Sequence, residues 1–88
     1  MSIVEDLGDE LAISTLEAMN YIDDDRFYEK VGRVIELSSP TLLEAFLTAV
    51  RVRLAERRAQ AFIEKALAAA KTGGDAPEAP ADYSAGGH

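Results

Sequence analysis

The chain has 88 residues with 9 Lys plus Arg, 16 Asp plus Glu and one His, a net charge of -7, and no Cys or Trp. An apolar fraction of 48% is ordinary for a globular domain and too high for wholesale disorder, and this length fits one domain. With no Cys, disulfides and thiolate metal sites are excluded, so a core this small invites stabilisation by self-association or a partner.

The start of the chain, MSIVEDLGDEL, has no basic stretch and no long apolar run, unlike a secretory signal. No apolar stretch approaches the roughly 20 residues of a membrane span. The expected setting is cytoplasmic, away from membranes. Charge is segregated: residues 1–25 hold eight acids and no base, 26–71 hold nine bases and five acids, and 72–88 hold three acids. Such segregation governs steering and repulsion.

The first predicted helix starts at Ser2, where Ser2-Ile3-Val4-Glu5 forms a capping box and acids in the first turn suit the helix dipole. At about 100° per residue, Ile3, Val4, Leu7, Leu11, Ala18 and Ile22 share one face, with Glu5, Asp6, Asp9 and Glu17 opposite and Glu10 at the border. Ile13 and Leu16 break this division and fall among the acids. They point either to a partner or to a helix buried on more than one side.

Asp23-Asp24-Asp25 predicts the next helix start, with one of the three as N-cap. Phe27, Tyr28, Val31, Val34 and Ile35 share its face, and Arg26, Glu29, Arg33 and Glu36 lie behind. Ser38-Ser39-Pro40 closes it and opens a third helix, with Ser39 as N-cap and Pro40 at the first helical position. Strong helix formers then run without Gly or Pro to about Lys71. That helix would be about 48 Å long, against a diameter of roughly 25–30 Å for a compact body of this size.

The long helix carries two stripes. Leu42, Leu43, Phe46, Leu47, Val50 and Leu54 form the first, with Thr41, Glu44, Thr48 and Arg51 opposite. Ala59, Phe62, Ile63, Ala66, Leu67 and Ala70 form the second, about 160° around the axis from the first. The changeover falls in Glu56-Arg57-Arg58. The helix could break there, the first helix could wrap round to cover the second stripe, or the Ala-rich end could fray. The favoured reading is that another chain covers it. Small Ala residues allow close helix approach, Phe62, Ile63 and Leu67 supply bulk, and soluble monomers avoid such patches.

After Thr72-Gly73-Gly74, a Gly stop, the segment 72–88 is rich in Pro, Ala and Gly and reads as a flexible tail. Tyr83 and His88 are incidental residues of it or parts of a short linear motif. Residues 1–71 form one helical domain. The fold class is all-α: two short amphipathic helices packed on a long C-terminal helix, plus a disordered tail.

Chemistry is sparse. Counting an EF-hand loop from Asp23 puts Tyr28 at the Gly position and Val34 at the bidentate Glu position, so the calcium pattern fails. A lone His and the absence of HExxH disfavour zinc. There is no GxSxG and no Cys, and Gly8 and Gly32 are isolated. No enzyme activity, cofactor or metal is expected.

Arg51, Arg53, Arg57 and Arg58 cluster, but split into two sides without interleaved aromatics, so nucleic acid is a disfavoured partner. Their alternatives are pairing with the acids of 1–25 or simple solvation.

The expected function is non-catalytic protein binding: a regulatory or accessory protein, self-associating as a homodimer or joining a larger complex. Ala59, Phe62, Ile63, Ala66, Leu67 and Ala70 would form the interface, with Arg51 and Arg58 at its rim. The alternative is an acidic inhibitor occupying a basic groove of a nucleic-acid-handling enzyme. It would use Glu5, Asp6, Asp9, Glu10, Ile13, Leu16 and Glu17, and it requires Ile13 and Leu16 to be exposed.

Overall fold

The computed structural model describes residues 2–74 and 77–78. Three helices follow in chain order: α1 (Ile3–Ala18), α2 (Phe27–Glu36) and α3 (Pro40–Thr72). The all-α arrangement of two short helices and a long C-terminal one is therefore present.

Two of the predicted starts hold at the atomic level. Ser2 Oγ accepts the Glu5 N–H at 3.1 Å, and Ser39 Oγ accepts the Leu42 N–H at 3.0 Å with Pro40 as the first helical residue. Each hydroxyl satisfies an N–H that has no partner within the helix. The start of α2 differs from expectation. Its N-cap is Arg26, which makes no side-chain cap bond. Asp24 acts from just outside instead, its Oδ1 accepting the Arg26 N–H at 3.0 Å and its carbonyl accepting the Phe27 N–H at 3.1 Å. A short Asp side chain that bonds the backbone two residues on makes a turn rather than a cap.

The helix α1 also ends earlier than its apolar pattern suggests, and Ile22 is not part of it. The N–H groups of Asn20, Tyr21 and Ile22 turn back onto the carbonyls of Glu17 and Ala18. Those turn bonds take up acceptors of the last helical turn.

The larger correction concerns which side of α1 is inside. Its buried residues are Gly8, Ala12, Thr15 and Leu16, about a quarter turn from the expected apolar face. Ile3 is 71% exposed and Leu7 41%, whereas Leu16, expected among the acids, is buried. Val4, Leu11 and Ala18, at the edge of the observed face, are half-buried.

Close approach explains the rotation. A Cβ on Gly8 would lie 2.8 Å from the Ala45 Cβ and 2.9 Å from the Ala45 carbonyl carbon. Only a residue without a Cβ lets the two backbones come so near. The small ridge of α1 therefore enters a groove of α3, and the large residues Ile3 and Leu7 are carried outward.

In α2, Gly32 and Ile35 are buried, and Phe27, Tyr28 and Val31 are half-buried as expected, but Val34 is 69% exposed. The contact again centres on a small residue. A Cβ on Gly32 would meet Leu43 Cδ1 at 3.1 Å, so the packed face turns toward Gly32 and away from Val34.

The chain divides into a first unit up to Ala55 and a second from Glu56 onward. In the first, Ala12, Ile35, Phe46 and Val50 make the buried core, with Leu42, Leu43, Leu47 and Leu54 packed against it. The first stripe of α3 is thus the centre of the core, and Thr41, Glu44, Thr48 and Arg51 opposite it are exposed.

The second unit contains the rest of α3, which is helical without a break through Glu56-Arg57-Arg58. The helix stops on glycine. Gly73 has φ of +78° and the Gly74 N–H donates to the Ala69 carbonyl at 2.9 Å, the six-to-one bond of a Schellman turn. Of the expected tail the structure describes Thr72 as the last helical residue, then residues 73, 74, 77 and 78. Tyr83 and His88 lie outside the described residues.

Candidate interaction surface

The two apolar stripes of α3 fall in different units, the first before Ala55 and the second after Glu56. In the first unit, Phe46 and Val50 are 0% and 1% exposed; in the second, Phe62, Ile63 and Leu67 are 37%, 54% and 53% exposed. Ala66 is half-buried, and Ala59 and Ala70 are exposed, as are Arg51 and Arg58. Helix formation here rests on local propensity: Ala, Arg, Glu, Gln and Lys supply most of residues 55–71, and all are strong formers. Glu56 Oε2 accepts a bond from Gln60 Nε2 at 3.1 Å, a further local support.

The four clustered arginines take different roles. Arg53 Nε donates to Asp9 Oδ1 at 2.8 Å and its Nη2 donates to Asp9 Oδ2 at 2.9 Å. This two-pronged geometry fixes the guanidinium against the α1 carboxylate and realises the pairing of basic helix and acidic first quarter expected from the charge pattern. The bonds from Arg53, aided by its charge, hold the Asp9 carboxyl below the usual carboxylate range, against the opposing effect of desolvation. Arg51, Arg57 and Arg58 are exposed.

A second pair joins Lys30 Nζ to Asp24 Oδ2 at 2.7 Å. The Lys30 bond and then the Arg26 backbone N–H lower the Asp24 carboxyl. Asp24 is thus occupied in tying the α1–α2 connection to α2.

The acidic surface divides as well. Glu5, Asp6, Glu10 and Glu17 are exposed, Ile13 is 38% exposed, Asp9 is engaged by Arg53, and Leu16 is 3% exposed, within the packed face of α1. The exposed apolar residues Ile3 and Leu7 were not expected there. The signal that finds them is the series Gly8, Ala12, Thr15, a small ridge that outweighs the large apolar positions in choosing the contact face.

Among the described residues, no three His, Asp or Glu come together to hold a metal ion. No described helix is long and apolar enough to cross a membrane. A shallow depression is lined by Met19 to Asp25, a single stretch of chain. No family model, no curated protein and no solved structure matches this chain.

Proposed function

We propose that this chain is a non-catalytic, cytoplasmic regulatory or accessory protein that self-associates as a homodimer through the second stripe of α3. The observation that carries this reading is the joint exposure of Phe62, Ile63 and Leu67 on a well-formed helix. Three large apolar residues clustered on one surface carry a free-energy cost in water that burial against another chain removes. The neighbouring small residues Ala59, Ala66 and Ala70 let a second helix approach closely. Exposed Arg58 supplies rim polarity, which sets specificity and encounter rate more than affinity.

The acidic-inhibitor reading receives less support. Leu16 is unavailable to a partner, and Asp9 already has one.

Light scattering tests the proposal. The chain at tens of micromolar should show twice the monomer mass. Phe62→Asp combined with Leu67→Asp should show the monomer mass with helical circular dichroism retained. A wild-type chain that stays monomeric, or a double variant that stays dimeric, contradicts it.

A further inference from the structure

The face of α1 turned away from the core has a composition opposite to that of the second half of α3. Ile3, Leu7, Asp6, Glu10 and Glu17 are all exposed, and α1 contains no basic residue. From Glu56 to Thr72, the bases Arg57, Arg58, Lys65 and Lys71 outnumber the acids Glu56 and Glu64. Arg58 and Lys65 are exposed and lie along one edge of the Phe62 stripe.

Resting on the self-association proposed above, we infer that the occupant of the α3 stripe is the outer face of α1 from a second copy of this chain. Glu10 and Glu17 are seven residues apart, and so are Arg58 and Lys65. Each pair is separated by about two turns, roughly 10.5 Å along its axis, so the two pairs match in spacing. At 100° per residue, Glu10 and Glu17 lie on the lower-angle side of Leu7, and Arg58 and Lys65 lie on the lower-angle side of Phe62. Two facing helices bring like sides together when they run antiparallel. That alignment sets Glu10 against Lys65, Glu17 against Arg58, and Leu7 at the level of Ala66 to Ala69.

Pairing the α3 stripe with its own copy is a poorer match. Run antiparallel, it places the Arg58 and Lys65 edge against itself, and like charges across an interface oppose association. In either direction it leaves Ile3 and Leu7 in water. When two copies exchange α1 contacts about a two-fold axis, both contacts are made and the assembly closes as a dimer.

Two charge-reversal variants of the full chain test this in trans. One carries Glu10→Lys and Glu17→Lys; the other carries Arg58→Glu and Lys65→Glu. All four side chains are exposed, and circular dichroism checks that both variants remain helical. Each variant alone should self-associate about tenfold or more weakly than wild type, by light scattering over a dilution series. An equimolar mixture should regain the dimer mass, because both contacts of the mixed dimer then join opposite charges.

A mixture that remains monomeric overturns the inference. So does undiminished self-association of either variant alone. If that result accompanies loss of the dimer on Phe62→Asp with Leu67→Asp, the stripe pairs with something other than α1, and the proposed function stands without this occupant. A monomeric wild type removes both.

Discussion

The two halves of α3 share one helical conformation and differ in what surrounds them. Over residues 42–54, the apolar stripe lies in a core with Ala12 of α1 and Ile35 of α2. Over residues 59–70, a stripe that alternates Ala with larger residues has its three largest side chains at least 37% exposed. Helical structure is the same in both, so it does not report how strongly a segment is held. In the first half, tertiary burial stabilises the helix. In the second, local propensity and the Gly73 stop do so, and isolated helices of that length are marginal in water. One continuous helix thus has a section that completes the monomer's core and a section that, in the proposed dimer, a second chain covers.

The contrast can be broken most strongly from the core side. Phe46→Ala removes a fully buried ring and should destabilise the chain by about 3–5 kcal/mol, read as a lowered midpoint in urea. Leu67→Ala in the second half should leave the monomer's midpoint nearly unchanged. Equal losses for the two would erase the distinction between the halves.

A middle-sized effect tests the close approach that orients α1. Gly8→Ala puts a Cβ 2.8 Å from the Ala45 Cβ, with the Ala45 backbone 2.9 Å away. Because backbone cannot yield as a side chain does, overpacking of about 1–3 kcal/mol should exceed the gain in helix propensity. Thermal denaturation should show a lower midpoint; a raised one would mean that α1 does not depend on this contact.

The smallest effect concerns the ion pair between α1 and the first half of α3. Arg53 lowers the Asp9 carboxyl below its ordinary value of 3.8. The folded state therefore binds a proton less readily than the unfolded one. This contribution is present above about pH 4 and is lost as pH falls through the lower folded value. Both partners are partly exposed, so the contribution is small and weakened by salt. Asp9→Asn should flatten the acid limb of the stability profile, measured by urea midpoints between pH 2 and 6. An unaltered limb would remove Asp9 from the account.

These regions also differ in how far the sequence reveals them. The presence of three helices, the caps at Ser2 and Ser39, the stop at Gly73 and the first α3 stripe follow from local chemistry and helical periodicity, whereas the end of α1 and the start of α2 do not. The packed face of α1 is not. Periodicity favours large apolar residues, so Ile3 and Leu7 read as inside and Leu16 falls among the acids, open to a partner or to burial on a second side. Contact geometry instead favours Gly8 and Ala12, because small residues let backbones approach. The same holds for Gly32 over Val34. The charge segregation pointed to pairing between α1 and the basic helix, but only the folded arrangement selects Arg53 and Asp9 as the pair. The second apolar stripe, with Phe62, Ile63 and Leu67, is legible from periodicity, while the outer face of α1 emerges only once its buried side is known.

Amide hydrogen exchange along α3 at low and high protein concentration tests the central claim most directly. Residues 42–54 should be protected already at the lowest concentration, and protection over 59–70 should rise steeply as the concentration increases. Protection over 59–70 that stays the same at every concentration would contradict a surface completed by a second chain.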